Sequence, residues 1–244
     1  MKRNIKLIIE YDGTDFVGWQ RQPNGRTVQE EIENVLLKIT SEKINVVGSG
    51  RTDSGVHARE QVANFFIDNS SPPNDLYRSL NGLLPDDIVI HSAEEVDENF
   101  SARYSAKARE YKYYIQRSPT AINRKYCWQL GYALDIDLMN SAASDIVGSH
   151  DFQAFCRSEV ETEHYLCTVF EAGWERSQND GFTFTVRANR FMHGMVRAIV
   201  GTMVDVGRRY TSIDEFKEIF RSKNRQKAGQ FAPPQGLFLE SVIY

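Results

Sequence analysis

The hydrophobic pattern of this chain keeps changing its period, and that alternation constrains the fold more than any other feature. Residues 4–11 (Asn-Ile-Lys-Leu-Ile-Ile-Glu-Tyr) read as a strand closed by the turn Asp12-Gly13. A polar loop with Gly and Pro runs to Arg26, and Thr27-Val28-Gln29-Glu30 then predicts a capping box. Val28, Ile32, Val35, Leu36 and Ile39 follow at helical spacing. Strands are predicted at 61–67 and 87–95, with a helix over 73–84 starting near Pro73. The second half repeats this traffic. A strand is predicted at 109–116, with Arg109, Tyr111, Tyr113 and Ile115 on one face, then a helix over 137–147 and strands at 165–175 and 181–189. Met192, Met195, Val196, Ile199, Val200, Met203 and Val204 keep helical spacing over three turns. A short helix at 212–222, a Pro-Pro loop and a strand at 237–243 close the chain.

Strands interleaved with helices, some strands consecutive, predict an α+β fold with largely antiparallel sheet. At 244 residues the chain can hold one large domain or two ordinary ones. No Pro/Gly/Ser linker divides it, so element count alone sets the expected boundary, with an N-terminal half over 1–105 and a C-terminal half over 106–244. No apolar run is long enough to span a bilayer, and the opening residues lack a signal-peptide core. Cys127, Cys156 and Cys167 form no C-x-x-C pair, and a reducing, cytoplasmic address is the expectation. The five histidines show no metal-ligand spacing, which argues against a zinc site. Trp19, Trp128 and Trp174 read as packing residues.

The formal net charge of −4 argues mildly against a nucleic-acid partner, but its distribution is uneven. Residues 103–125 hold Arg103, Lys107, Arg109, Lys112, Arg117, Arg124 and Lys125 against the single acid Glu110. Residues 187–209 hold Arg187, Arg190, Arg197, Arg208 and Arg209 against Asp205. Two such segments could form a basic face, although a solvated charged surface is the plainer outcome of composition alone.

The least ordinary stretch is Gly48-Ser49-Gly50-Arg51-Thr52-Asp53-Ser54-Gly55-Val56-His57-Ala58. Its glycines permit positive φ and close approach of a ligand. Three readings compete. A phosphate-cradling loop would need Gly where Asp53 stands, or a Gly-Lys-Ser/Thr run that is absent. A plain Asx-type turn at Asp53-Ser54-Gly55 is the default for such a tripeptide. The third reading is a catalytic carboxylate held ionised by a neighbouring cation.

Gly50 to Ala58 resembles the active-site motif of the tRNA pseudouridine synthase A family. Tyr11-Asp12-Gly13-Thr14 with Gly18-Trp19-Gln20, Thr27-Val28-Gln29, Asn81 with Leu84-Pro85-Asp86-Asp87-Ile88, and Phe100-Ser101-Ala102-Arg103 with Ala108-Arg109-Glu110-Tyr111-Lys112-Tyr113 are similar to that family in the same order. So are His150-Asp151-Phe152, Phe191 to Arg197, and Ala232-Pro233-Pro234-Gln235-Gly236-Leu237. Glu60 departs from the pattern, where a small residue is expected. The resemblance implies two pseudo-symmetric halves with mainly antiparallel sheets flanked by helices, and a central RNA-binding cleft. It implies isomerisation of uridine at positions 38, 39 and 40 of the tRNA anticodon stem-loop by a homodimer that uses no cofactor and no metal. Asp53 would be the nucleophile, Arg197 its ion-pair partner and Tyr111 a contact to the target base. Arg51 would hold the nucleotide out of its stack, and Leu237 would join the substrate-binding set. The residues themselves leave rivals. Tyr111 shares a face with Tyr113 and Ile115 as a core tyrosine would, and Arg197 flanks its helix's apolar stripe as a snorkelling arginine would. The rival function is a non-catalytic structured-RNA-binding module on the same fold.

Overall fold

The computed structural model describes residues 2–68, 72–157, 164–177 and 180–244, which divide into two compact units, 1–107 with 238–244 and 108–237. In the first unit β1 (Arg3–Tyr11) is followed by α1 (Val28–Thr40), β2 (Val47–Gly48), β3 (His57–Ile67), α2 (Pro73–Leu83) and β4 (Ile88–Val96). β1 lies between β3 and β4, antiparallel to both, with Leu7 opposite Ala63 on one side and Ala93 on the other. The alternation read from the sequence sets the core face: Ile5, Leu7, Ile9 and Tyr11 are buried. Val28, Ile32, Val35 and Leu36 form the buried stripe of α1, at the spacing that identified the helix.

At the start of α1 only half of the expected capping box appears. The Thr27 hydroxyl accepts from the Glu30 N–H at 3.4 Å, while the Val28 and Gln29 N–H groups donate to the carbonyls of Gly18 and Trp19. The loop before the helix thus satisfies donors that helices ordinarily leave open. A buried carboxylate ties the same loop down. Glu33 accepts from Gln29 Nε2, from the Val46 N–H and from Arg21, which relieves the cost of burying its charge. The full box forms elsewhere, between Ser212 and Glu215.

The second unit opens with β5 (Ala108–Gln116) and β6 (Trp128–Gln129), then α3 (Ile136–Asp145), β7 (Gly148–Asp151), β8 (Leu166–Ser177), β9 (Gly181–Ala188), α4 (Met195–Gly207) and α5 (Ile213–Ser222). β5, β9, β8 and β7 pair antiparallel in that spatial order, while β6 runs parallel to β5. Trp19 and Trp174 are buried as expected, the Trp174 indole donating to Met203 Sδ at 3.4 Å. α4 starts at Met195 rather than Met192, because Gly194 at φ +74° stops the chain from being helical there. It is buried along nearly all of its length, and α3 packs against it and against β8. The final strand, β10 (Leu237–Ile243), belongs from Phe238 onward to the first unit, where it pairs parallel to β3 with Phe238 opposite His57. The chain is therefore α+β with mainly antiparallel pairing, as the periodicity predicts. β2, β6 and β7 are additions, too short to show a period.

Candidate active site

The Asp53 loop bridges β2 and β3 and is fastened at almost every residue. The Ser49 N–H donates to the Val62 carbonyl at 2.7 Å, the Ser49 hydroxyl to Gln61 Oε1 at 2.6 Å, and Gln61 Nε2 to the Gly50 carbonyl at 3.0 Å. Thr52 is gripped twice, by the Trp19 N–H on its carbonyl at 3.2 Å and by the Tyr11 hydroxyl on its own at 2.8 Å. Burial raises the Tyr11 phenol far above its ordinary value, so it stays protonated and serves only as a hydrogen-bonding group.

The segment Asp53–Val56 is a turn, closed by the Val56 N–H on the Asp53 carbonyl at 3.2 Å with Gly55 at φ +75°. The Gly55 N–H goes to the Phe16 carbonyl, as does the Ser54 hydroxyl, each at 3.2 Å. Main chain and Phe16 thus hold the turn, and Asp53 stands half-buried at its head. Arg51 is exposed and makes no ion pair among the described residues, so its adjacency in sequence does not supply the cation that the catalytic reading asked for. His57, buried at the end of the loop, stacks on Phe238 at 4.5 Å with Nδ1 3.0 Å from the Gly13 nitrogen. Glu60, the departure from the family pattern, is an exposed position of β3.

The glycines around Asp53 are not equivalent. A Cβ on Gly13 would lie 2.0 Å from the Val56 carbonyl oxygen, and one on Gly18, at φ +115°, 2.7 Å from the Thr52 oxygen. A Cβ on Gly48 would lie 2.6 Å from the Trp19 ring, whereas one on Gly50 would meet nothing within 4 Å. Gly13→Ala is therefore expected to push the Asp53 turn outward and cost about 1–3 kcal/mol, a drop of several degrees in melting temperature. Gly50→Ala should stay within about 0.5 kcal/mol of the parent. Equal melting curves for the two variants would contradict this account of the loop.

In the second unit Tyr111, opposite Val186 on β5, is 8% exposed and meets Phe191 edge-on at 5.0 Å. Two residues on, the Tyr113 hydroxyl donates to the Pro233 carbonyl at 2.8 Å, and Gly236 lies so close that a Cβ there would be 2.7 Å from the ring. Burial raises the Tyr113 phenol well above its usual range. The 233–236 segment rests on this ring and delivers Leu237, itself buried.

Arg197 does not snorkel freely. Its Nε donates to the Ala232 carbonyl at 2.7 Å, the Ala232 N–H returns a bond to the Arg197 carbonyl at 3.0 Å, and Phe231 stands 5.7 Å from the guanidinium. Arg225 lies 4.1 Å from the same phenyl ring. The segment can come this close to α4 because Gly201 has no side chain; a Cβ there would be 1.8 Å from the Gln230 oxygen. Sequence reasoning missed this clamp, although Gly201 in the middle of a helix was a visible signal.

The basic segments are less positive in place than on paper. Arg117 pairs with Asp180, Arg187 with Glu171, Arg208 with Asp205 and Arg209 with Asp135. Among the described residues no three His, Cys, Asp or Glu side chains gather as a metal site, and no helix is long and apolar enough to cross a membrane.

Comparison with known proteins agrees with the motif order. Residues 7–105 and 142–244 match a family model described as tRNA pseudouridine synthase. The tRNA pseudouridine synthase A of Thermoanaerobacter sp. (strain X514) is 44% identical over 244 residues, covering 99% of this chain and 100% of the relative. That of Clostridium acetobutylicum is 43% identical over 244 residues with the same coverage. In shape, one chain of a solved Cbf5–Nop10–Gar1 complex shows slight similarity, with TM-score 0.34 and 13% identity over 85% of this chain and 55% of that one.

Proposed function

The chain belongs to the tRNA pseudouridine synthase family, and from that membership we propose that it isomerises uridine at positions 38, 39 and 40 of the tRNA anticodon stem-loop, with Asp53 as nucleophile. The reaction breaks the N1–C1′ bond, turns the uracil and joins C5 to C1′, with the C5 hydrogen leaving as a proton and N1 taking a proton up. Product and substrate are isomers, so no external oxidant, reductant or water is consumed. A carboxylate is sufficient reagent: it attacks C1′ or C6, or removes a sugar proton to start the cleavage.

The observation that carries this reading is the Asp53 turn. Its closing bonds run to the main-chain carbonyls of Asp53 and Phe16, so the closure of the turn does not depend on which side chain stands at position 53. A half-buried acid retained in an RNA-binding protein costs affinity for phosphates, a cost that chemistry explains and binding alone does not. Tyr111 offers an aromatic face for an extruded base and a hydroxyl for its edge. In this reading Arg197 is the charge partner of the Asp53 carboxylate, Arg51 holds the nucleotide out of its stack, and Leu237 joins the substrate-binding set. We propose in addition that the protein acts as a cytoplasmic homodimer without metal or cofactor.

The test is tritium release from C5-labelled uridine in tRNA transcripts, followed by mapping of the modified positions. Release confined to 38, 39 and 40 is the expected result. Binding without release would leave a structured-RNA-binding module, and release from other positions would overturn the substrate assignment.

A further inference from the structure

Going beyond that reading, we infer that Tyr104 is a stacking platform for an unpaired base of the RNA, with Arg103 placed for the adjoining phosphate. The inference begins in the strands beneath it. Asn4 of β1 and Asn64 of β3 are both buried, where an amide must find partners or destabilise the fold. Asn4 Nδ2 donates to the carbonyls of Asp97 and Phe100 at 2.9 and 2.8 Å, and its Oδ1 accepts from Asn64 Nδ2 at 2.8 Å. Asn64 Oδ1 in turn accepts the Ala102 N–H at 2.8 Å. The Tyr244 hydroxyl donates to the Ala102 carbonyl at 2.8 Å. A fully satisfied buried network of this kind fixes one geometry.

What it fixes is a turn. The Ser105 N–H reaches the Ser101 carbonyl at 2.9 Å, the Ser101 N–H reaches Ser105 Oγ at 3.1 Å, and the Tyr104 N–H reaches Ser101 Oγ at 3.3 Å. Upon this rigid base Tyr104 stands 80% exposed, with the Arg103 guanidinium 5.3 Å from its ring centroid. Tyr210 is equally exposed, but no cation lies over its ring among the described residues.

An aromatic ring held out in water contributes little to the fold, and a guanidinium over one face leaves the other for a ligand. Residues 101–107, Ser-Ala-Arg-Tyr-Ser-Ala-Lys, carry two cations and no acid. Aromatic face plus positive charge is the chemistry that recognises unpaired nucleotides, through base stacking and phosphate pairing. A protein partner would ask instead for an apolar surround that excludes water from the ring. Preorganisation by the asparagine network lowers the ordering cost of the contact.

The experiment is an equilibrium titration of the full chain with a tRNA transcript at fixed salt. Tyr104→Ala is expected to weaken binding about tenfold, within the range alanine substitution gives for one stacked base. Tyr104→Leu, which keeps apolar bulk without a π face, should be equally weak, and Tyr104→Phe should bind as the parent does. Affinity of the alanine or leucine variant within about twofold of the parent would overturn the proposal. So would loss of self-association with RNA binding intact, which would make Tyr104 a contact between copies of the chain. Because binding is read without turnover, failure of the Asp53 assignment would leave this result unaffected.

Discussion

Asp53→Asn protein is expected to fold as its parent does, to bind tRNA at least as tightly, and to release C5 tritium several orders of magnitude more slowly. The two halves of that expectation have separate causes. The turn is closed by the Val56 N–H on the Asp53 carbonyl, and the Gly55 N–H and Ser54 hydroxyl both go to Phe16. An amide of nearly the same shape leaves these bonds untouched, so melting temperature should move little. Chemistry has no such tolerance: a neutral amide neither attacks a sugar or base carbon nor takes a proton, and deletion of a catalytic nucleophile commonly costs many powers of ten. The measurement is tritium release, with circular dichroism and an RNA titration on one batch of protein. Activity within about tenfold of the parent corresponds to only about 1.4 kcal/mol of barrier and would remove Asp53 from the reaction.

The second large effect is expected at Tyr111. Truncation to alanine mixes two losses, because the ring is buried against Phe191, and aromatic-to-alanine changes in a core cost roughly 3–5 kcal/mol. Tyr111→Phe separates them. It keeps the edge-on packing and removes only the hydroxyl, so the protein should melt near the parent temperature. If the hydroxyl meets the base edge or relays a proton, turnover should fall by about 10²-fold or more, the low end of general acid–base contributions. Transcript affinity should hold, since most RNA contacts are to phosphates. Normal turnover in the phenylalanine variant, with an alanine variant that is merely unstable, would return Tyr111 to the core.

Much of the fold was legible because strand and helix periods are local. The buried series Ile5, Leu7, Ile9, Tyr11 and the α1 stripe from Val28 to Leu36 follow from side-chain spacing alone. Asp53 stood out as a candidate for another reason: the motifs around it stand in the order of one family. The basic segments were read less well. Two of their arginines pair with acids distant in sequence, Arg209 with Asp135 and Arg117 with Asp180, and no short window of residues shows such a pairing.

By itself the sequence determined the α+β class, the mainly antiparallel pairing, the extent of the longer elements and the family, since each rests on patterns within a few residues or on motif order. Tertiary structure alone decided what each side chain meets. It left Arg51 exposed and out of ion pairs among the described residues, clamped Arg197 to the Ala232 carbonyl through a gap that Gly201 leaves open, and returned the last strand to lie parallel to β3. It also left no room for a side chain at Gly13 and ample room at Gly50, though both lie beside the Asp53 turn. The physical reason is that backbone period is set by neighbours along the chain. Hydrogen bonds, ion pairs and close approaches are set by segments that meet only when the chain has folded.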